Sequence, residues 1–251
     1  MCELFGASGG NADRRGLLRE FFSHGSDNPH GWGMALINGG NPEIIKEPMP
    51  SVKSARLREV LSEDTAADIL LAHIRLATKG GIEYNNTHPF TAADASGREW
   101  VLEHNGTIFD CPPLSSYIHK QEGDTDSERI LLYLIDKLNG AEAFHREARI
   151  KTVEELIYTA APENKLNLLI TDGELLYVHS NYRGGLHIMK DDGGIVFSTN
   201  ALDDGRWEEV PINTLFVYGG GELIHTGATH NHEFFDSEEK MRFLYLDFAG
   251  I

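Results

Sequence analysis

Short apolar runs alternate with glycine-rich breaks along this chain, the pattern of strands joined by tight turns. Residues 2–7 read as a first strand, 14–23 as a helix and 31–37 as a second strand. Gly39-Gly40-Asn41-Pro42 supplies a turn, and 43–46 its return strand. A short helix is expected at 54–61. A strongly apolar strand follows at 68–77, and another at 99–104 that stops at Asn105-Gly106, a pair typical of type I′ turns.

The longest helical signal begins at Thr125. Thr125 and Glu128 have capping-box spacing, and Ile130, Leu131, Leu134, Ile135 and Leu138 form one apolar stripe. A second helix is expected over 152–160, with 141 its earliest start. From Lys165 the pattern becomes β: 166–171, 174–179, 186–189, 194–199, 214–218 and 222–226. Asp172-Gly173 and Gly219-Gly220-Gly221 provide turn chemistry between them. Strands, then two helices, then a β-meander predict one α+β domain over 1–251, built on antiparallel sheets.

Composition narrows the function. Lys and Arg total 22 against 39 Asp and Glu, a formal charge of −17, and no basic cluster offsets it. A nucleic-acid backbone is therefore excluded as partner. No apolar run approaches the length of a membrane span, and the first residues lack a basic start and an apolar signal stretch, so no membrane association is expected. Only Cys2 and Cys111 are available, which is no disulfide framework and points to a reducing cytoplasm.

Cys2 stands out by position. Removal of Met1 before a small residue would leave a terminal cysteine, whose amine (pKa near ~7.7–8) can serve as base for its own thiol (near ~8.5). Taken alone, Cys2 reads rather as a small apolar residue of a buried first strand. His73, Arg75 and Ala77 share one face of the 68–77 strand, with Ile74 and Leu76 on the other. An arginine in so apolar a segment meets a protein carboxylate or grips one on a ligand. Asn105-Gly106 is either a turn or a pair of donors to an oxyanion. Asp126 falls in the first turn of the long helix, where the dipole favours a carboxylate with or without a function. Asp124, Asp126 and Glu128 lack the loop pattern of a calcium site. His88, before Pro89, reads as a solvated loop histidine, and His225, His230 and His232 as surface residues whose spacing matches no zinc motif.

In this order, Met1-Cys2, His73-Ile74-Arg75-Leu76-Ala77-Thr78, Thr87-His88-Pro89, His104-Asn105-Gly106 and Thr125-Asp126-Ser127-Glu128 resemble the class II glutamine amidotransferases, an N-terminal-nucleophile hydrolase family. The small stand-alone bacterial members are the nearest in pattern, sharing the Gly31-Trp32-Gly33 segment and the Trp207 and Pro211 region. The resemblance implies a four-layer αββα sandwich. It implies Cys2 as nucleophile, Asn105 and Gly106 as oxyanion hole, and Arg75 and Asp126 as holders of the α-carboxylate and α-ammonium of glutamine. Thr78 and His88 would line the pocket, and no metal or organic cofactor is implied. Leu76 and Lys79 depart from the Trp and His of sugar-phosphate-synthesising relatives. With no synthase domain visible, ammonia would be released or passed to a separate synthase. Alternatives are a hydrolase of another γ-glutamyl amide on the same fold, and a non-catalytic binding or regulatory module.

Overall fold

A computed structural model describes residues 2–10, 12–191, 193–237 and 240. Its strands are β1 (Glu3–Ser8), β2 (Trp32–Asn38), β3 (Asn41–Glu47), β4 (Ile69–Ile74), β5 (Phe90–Ala93), β6 (Glu99–Thr107) and β7 (Lys165–Thr171). They continue as β8 (Leu176–Ser180), β9 (His187–Asp191), β10 (Gly194–Ser198), β11 (Glu208–Glu209), β12 (Thr214–Gly219) and β13 (Glu222–Thr226). The helices are α1 (Arg15–Ser23), α2 (Ala55–Val60), α3 (Pro112–Ser115), α4 (Asp126–Gly140) and α5 (Arg146–Ala160).

The strands form two antiparallel sheets, ordered β11-β9-β10-β1-β4-β2-β3 and β13-β12-β8-β7-β6-β5. Successive side chains of a strand point to opposite faces, so each sheet feeds two apolar layers. Phe5, Ala7, Met34, Ala72 and Ile74 face Leu18, Phe21, Phe22 and Leu57 of α1 and α2. Leu4, Ala35, Leu71, Val101, Leu169 and Val178 fill the space between the sheets. Trp100, Leu102, Leu166, Leu168 and Ile170 face α4 and α5. The result is the four-layer αββα sandwich. Both faces of β1 and β4 are buried, which is why their sequences run apolar without alternating.

Helix α4 starts as its sequence predicts. Thr125 Oγ1 accepts the Glu128 N–H at 3.3 Å, and the whole stripe from Ile130 to Leu138 is buried. The Glu128 carboxylate instead accepts the N–H groups of Glu122 and Gly123, pinning the preceding loop rather than closing the capping box. His145 caps α5, which therefore begins at Arg146.

Asn105-Gly106 does not end its strand. β6 runs on to Thr107, with Asn105 opposite Asn167 and Gly106 opposite Leu166. Gly106 has no positive φ, so a type I′ turn is excluded. A Cβ on Gly106 would lie 2.0 Å from the Lys165 carbonyl oxygen. Close approach of two backbones, not a turn, requires this glycine. β4 ends at Ile74, earlier than its apolar pattern suggests, although the Arg75 N–H still donates to the Gly31 carbonyl at 2.8 Å. No helix of the described residues is long and apolar enough to cross a membrane.

Candidate active site

The site lies where β1 begins and β4 ends, beside β6. Cys2 precedes β1, and its half-buried thiol sits on the Leu76 peptide. Sγ accepts the Leu76 N–H and faces the Leu76 carbonyl, both at 3.3 Å. Burial pushes the thiol's pKa up, the Leu76 N–H and the Arg75 charge oppose this, and the Asp126 carboxylate adds to it. Met1, whose removal would free the Cys2 amine, lies outside the described residues.

Arg75 is 2% exposed. Its guanidinium meets no carboxylate within ion-pair distance among the described residues. It donates instead to the carbonyls of Gly81 (2.8 Å), Lys79 (2.8 Å) and Gly80 (3.1 Å). The internal salt bridge expected for a buried arginine is thus replaced by a clasp on the adjoining loop. That loop is fixed from outside as well. Asn86 Nδ2 donates to the Gly81 carbonyl, Asn86 Oδ1 accepts the Asp124 N–H, and Lys79 Nζ reaches the Ile108 carbonyl. Gly80 sits at φ +78°, a conformation that favours glycine, and a Cβ there would press on the Asn86 side chain at 3.0 Å.

Asp126 is the first residue of α4 and 5% exposed. Its Oδ2 accepts the Ile108 N–H at 2.6 Å, tying the helix to the exit of β6. Burial lowers the Arg75 pKa, and the nearby Cys2 thiol and Asp126 carboxylate raise it in return. The thiol therefore stands within electrostatic reach of one fixed cation and one fixed anion.

Asn105 is 4% exposed, and its Nδ2 donates to Thr199 Oγ1 at 3.4 Å. His104 points the other way, toward α4. Its Nε2 lies 3.1 Å from the Lys165 carbonyl and so carries the proton, leaving Nδ1 to accept from Ser127 Oγ at 3.0 Å. Thr78 is half-buried on the bend after Ala77.

His88 is not solvated: it is 4% exposed and stacks on fully buried His73 with centroids 4.1 Å apart. Neither ring nitrogen of either histidine has a hydrogen-bond partner among the described residues. Burial lowers both pKa values, that of His73 to about 3, so both rings are neutral. The apolar strands around them decide this, since the loop sequence itself is polar. His230 is likewise no surface residue. It is 9% exposed, and its Nε2 lies 3.0 Å from Nε2 of buried His179. His225 is half-buried and lies 3.2 Å from Glu154.

The structure therefore gathers Cys2, Arg75, Asp126 and Asn105 around the end of β6, with Gly106 inside the strand. Thr199, Asn167 and Lys165 also belong here and carry no sequence motif. Lys165 Nζ lies 3.6 Å over the Tyr182 ring. Burial pulls its pKa down to about 8, while the charges of Asp236 and Cys2 hold it up. Among the described residues, no group of three or more His, Cys, Asp or Glu is placed to hold a metal ion.

A two-sheet sandwich with a cysteine at the head of a central strand defines a class, and sequence comparison agrees with it. Residues 1–191 match the family described as glutamine amidotransferases class-II, and the chain belongs to that family. It is 30% identical to the Escherichia coli protein YafJ over 199 residues, 74% of this chain and 75% of that protein. It is 26% identical to the gamma-glutamyl-hercynylcysteine sulfoxide hydrolase of Mycobacterium tuberculosis over 190 residues, 75% of this chain and 74% of that one. The fold matches the glutamine phosphoribosylpyrophosphate amidotransferase of B. subtilis with a TM-score of 0.67 at 15% identity. That match covers 90% of this chain but 48% of the B. subtilis chain, so this chain spans about half the length of that enzyme.

Proposed function

We propose that this protein hydrolyses the side-chain amide of glutamine, or of a closely related γ-glutamyl amide, through a thioester on Cys2. The observation that carries the reading is the Cys2 thiol seated on the Leu76 peptide at 3.3 Å, next along the chain from buried Arg75, with buried Asp126 fixed at the exit of β6. A zwitterionic amino-acid head group needs one fixed cation and one fixed anion. The α-carboxylate of glutamine would take guanidinium N–H groups now spent on the 79–81 carbonyls, and Asp126 would receive the α-ammonium. Thr78 and His88 would border the pocket.

Once Met1 is removed, the Cys2 amine takes the Sγ proton. The thiolate forms a C–S bond to the amide carbon, and the carbonyl electron pair moves onto oxygen, where Asn105 Nδ2–H and the Gly106 N–H donate to it. Collapse breaks the C–N bond as the ammonium returns its proton to the departing nitrogen, releasing ammonia. Water, deprotonated by the same amine, then cleaves the thioester to give glutamate and free thiol. These steps call for no metal or organic cofactor. The ammonia leaves freely or passes to a separate synthase. The two free thiols, Cys2 and Cys111, suit the cytoplasm.

A second reading is favoured by the similarity to a γ-glutamyl conjugate hydrolase, in which a bulkier amine leaves. Ammonia release from glutamine, compared with aniline release from a γ-glutamyl anilide, separates the two. Turnover of neither substrate by protein trimmed at Met1 would leave only a binding or regulatory role.

A further inference from the structure

Thr199 follows β10 and occupies an unusual place in the sheet. In an antiparallel ladder, a hydrogen-bonded residue pair exchanges two N–H···O=C bonds. Leu4 and Thr199 exchange one in the ordinary way, Thr199 N–H to the Leu4 carbonyl at 3.0 Å. The return bond runs from Leu4 N–H to the Thr199 hydroxyl at 2.9 Å, not to its carbonyl. The displaced Thr199 carbonyl accepts instead from His187 Nδ1 at 2.9 Å. A side-chain oxygen is thereby built into the backbone ladder, two residues from Cys2.

The same hydroxyl oxygen accepts from Asn105 Nδ2, across the gap between the sheets. The main chain of Asn105 is held separately. Its carbonyl accepts from Asn167 Nδ2 at 2.9 Å, and Asn167 Oδ1 accepts from Ser180 Oγ at 2.7 Å. Asn167 and Ser180 are fully buried. A carboxamide NH₂ has two hydrogens. With one aimed at Thr199, the direction of the other is set.

We propose that Thr199 is the positioning residue of the oxyanion hole: its hydroxyl, locked into the β1 ladder, fixes the Asn105 carboxamide relative to Cys2. This rests on the hydrolase reading above. Thr199 touches no reacting atom in this scheme, and its effect passes wholly through Asn105. Loss of one oxyanion donor costs about 10²–10³ in kcat. Misdirecting that donor should cost at least ~10-fold, with little change in substrate binding.

The test compares wild type, Thr199→Val and Thr199→Ser, all trimmed at Met1. Three quantities are measured: kcat and KM on glutamine and γ-glutamyl anilide, the rate of Cys2 alkylation by iodoacetamide, and the NMR signal of the Asn105 side-chain amide. Alkylation forms no tetrahedral oxyanion, so it reports the thiol alone. For Thr199→Val the expectation is a kcat lower by about ten-fold or more, with KM within about three-fold and alkylation within about two-fold of wild type. The Asn105 amide signal should shift, and Thr199→Ser should restore both kcat and that signal. Should Thr199→Val fail to fold, Thr199→Ala takes its place. An unchanged kcat, an unmoved Asn105 signal, or no rescue by serine overturns the proposal. Wild type that turns over neither substrate overturns the hydrolase reading itself, and the oxyanion role with it. The Asn105 signal then still decides whether Thr199 orients that side chain.

Discussion

Replacing Asp126 by asparagine keeps the size of the side chain and removes one charge, and two readouts should move in opposite senses. The Ile108 N–H now donates to Asp126 Oδ2 at 2.6 Å, and an asparagine oxygen can still accept it, so the α4 start should survive. What is lost is the anion proposed to hold the α-ammonium of glutamine. A hydrogen bond to a charged group contributes about 1.5–3 kcal/mol. At about 1.4 kcal/mol per decade, glutamine's KM should rise roughly ten- to a hundred-fold. The thiol should respond the other way. Asp126 raises the Cys2 pKa, so its removal lowers that pKa and increases the thiolate fraction below it. Iodoacetamide alkylation of Cys2 near pH 7 should therefore be as fast as in wild type or faster. Steady-state glutaminase kinetics and a stopped-time alkylation assay on one preparation give both numbers. An unchanged KM would refute the ammonium-binding role. A slower alkylation together with a raised KM would mean that the helix start has shifted and the electrostatic argument fails.

Other expectations follow from single contacts. Gly106→Ala should cost about 1–3 kcal/mol or prevent folding, because the new Cβ meets the Lys165 backbone rather than a movable side chain; a melting temperature within a degree of wild type would contradict this. The pKa values of His73 and His179 are lowered to about 3 and that of His230 to about 4 by burial. Below the ordinary histidine value near 6.5 the unfolded chain takes up protons that the native rings refuse, so stability is full above that pH and falls as pH drops toward 4. His230→Gln should flatten that decline in denaturant titrations at pH 4.5–7, and an unaltered slope would count against it. Glu103 is fully buried, neither oxygen has a partner among the described residues, and burial holds its pKa well above the carboxylate range. The unfolded chain releases this proton above about pH 4.5 while the native chain keeps it, so stability is lost as pH rises. Glu103→Gln should then gain stability over wild type as pH climbs from 5 to 8, and a constant difference would refute the assignment.

Much of the frame was legible because local chemistry and tertiary packing agree there. The Thr125 cap and its apolar stripe specify α4 without outside help, and the two-sided apolar character of β1 and β4 marks them as central strands. β5 was not legible: Phe90-Thr91-Ala92-Ala93 has little strand character of its own, and pairing with β6 makes it a strand. Asn105-Gly106 carries the same dipeptide signal as a hairpin turn, and only the register against Asn167 and Leu166 shows it inside a strand. His88 and His230 sit in polar stretches, so their burial depends on partners distant in sequence, His73 and His179. Arg75 was recognisable as a buried cation, but its partners are loop carbonyls, which no residue pattern announces. Thr199 left no trace, because a hydroxyl inside a backbone ladder is a property of register alone.

The claim at the centre of this account is that the Cys2 thiol attacks with its own α-amine as base. Intact-mass analysis after brief exposure to a diazoketone analogue of glutamine tests it most directly, using protein of known Met1 content before and after methionine aminopeptidase. The account predicts one adduct per chain, located on Cys2, absent in Cys2→Ala, retained in Cys111→Ser, and confined to the trimmed fraction as glutaminase activity rises with it. An adduct on Cys111, or Met1-bearing protein that labels and hydrolyses glutamine as fast as trimmed protein, would contradict it.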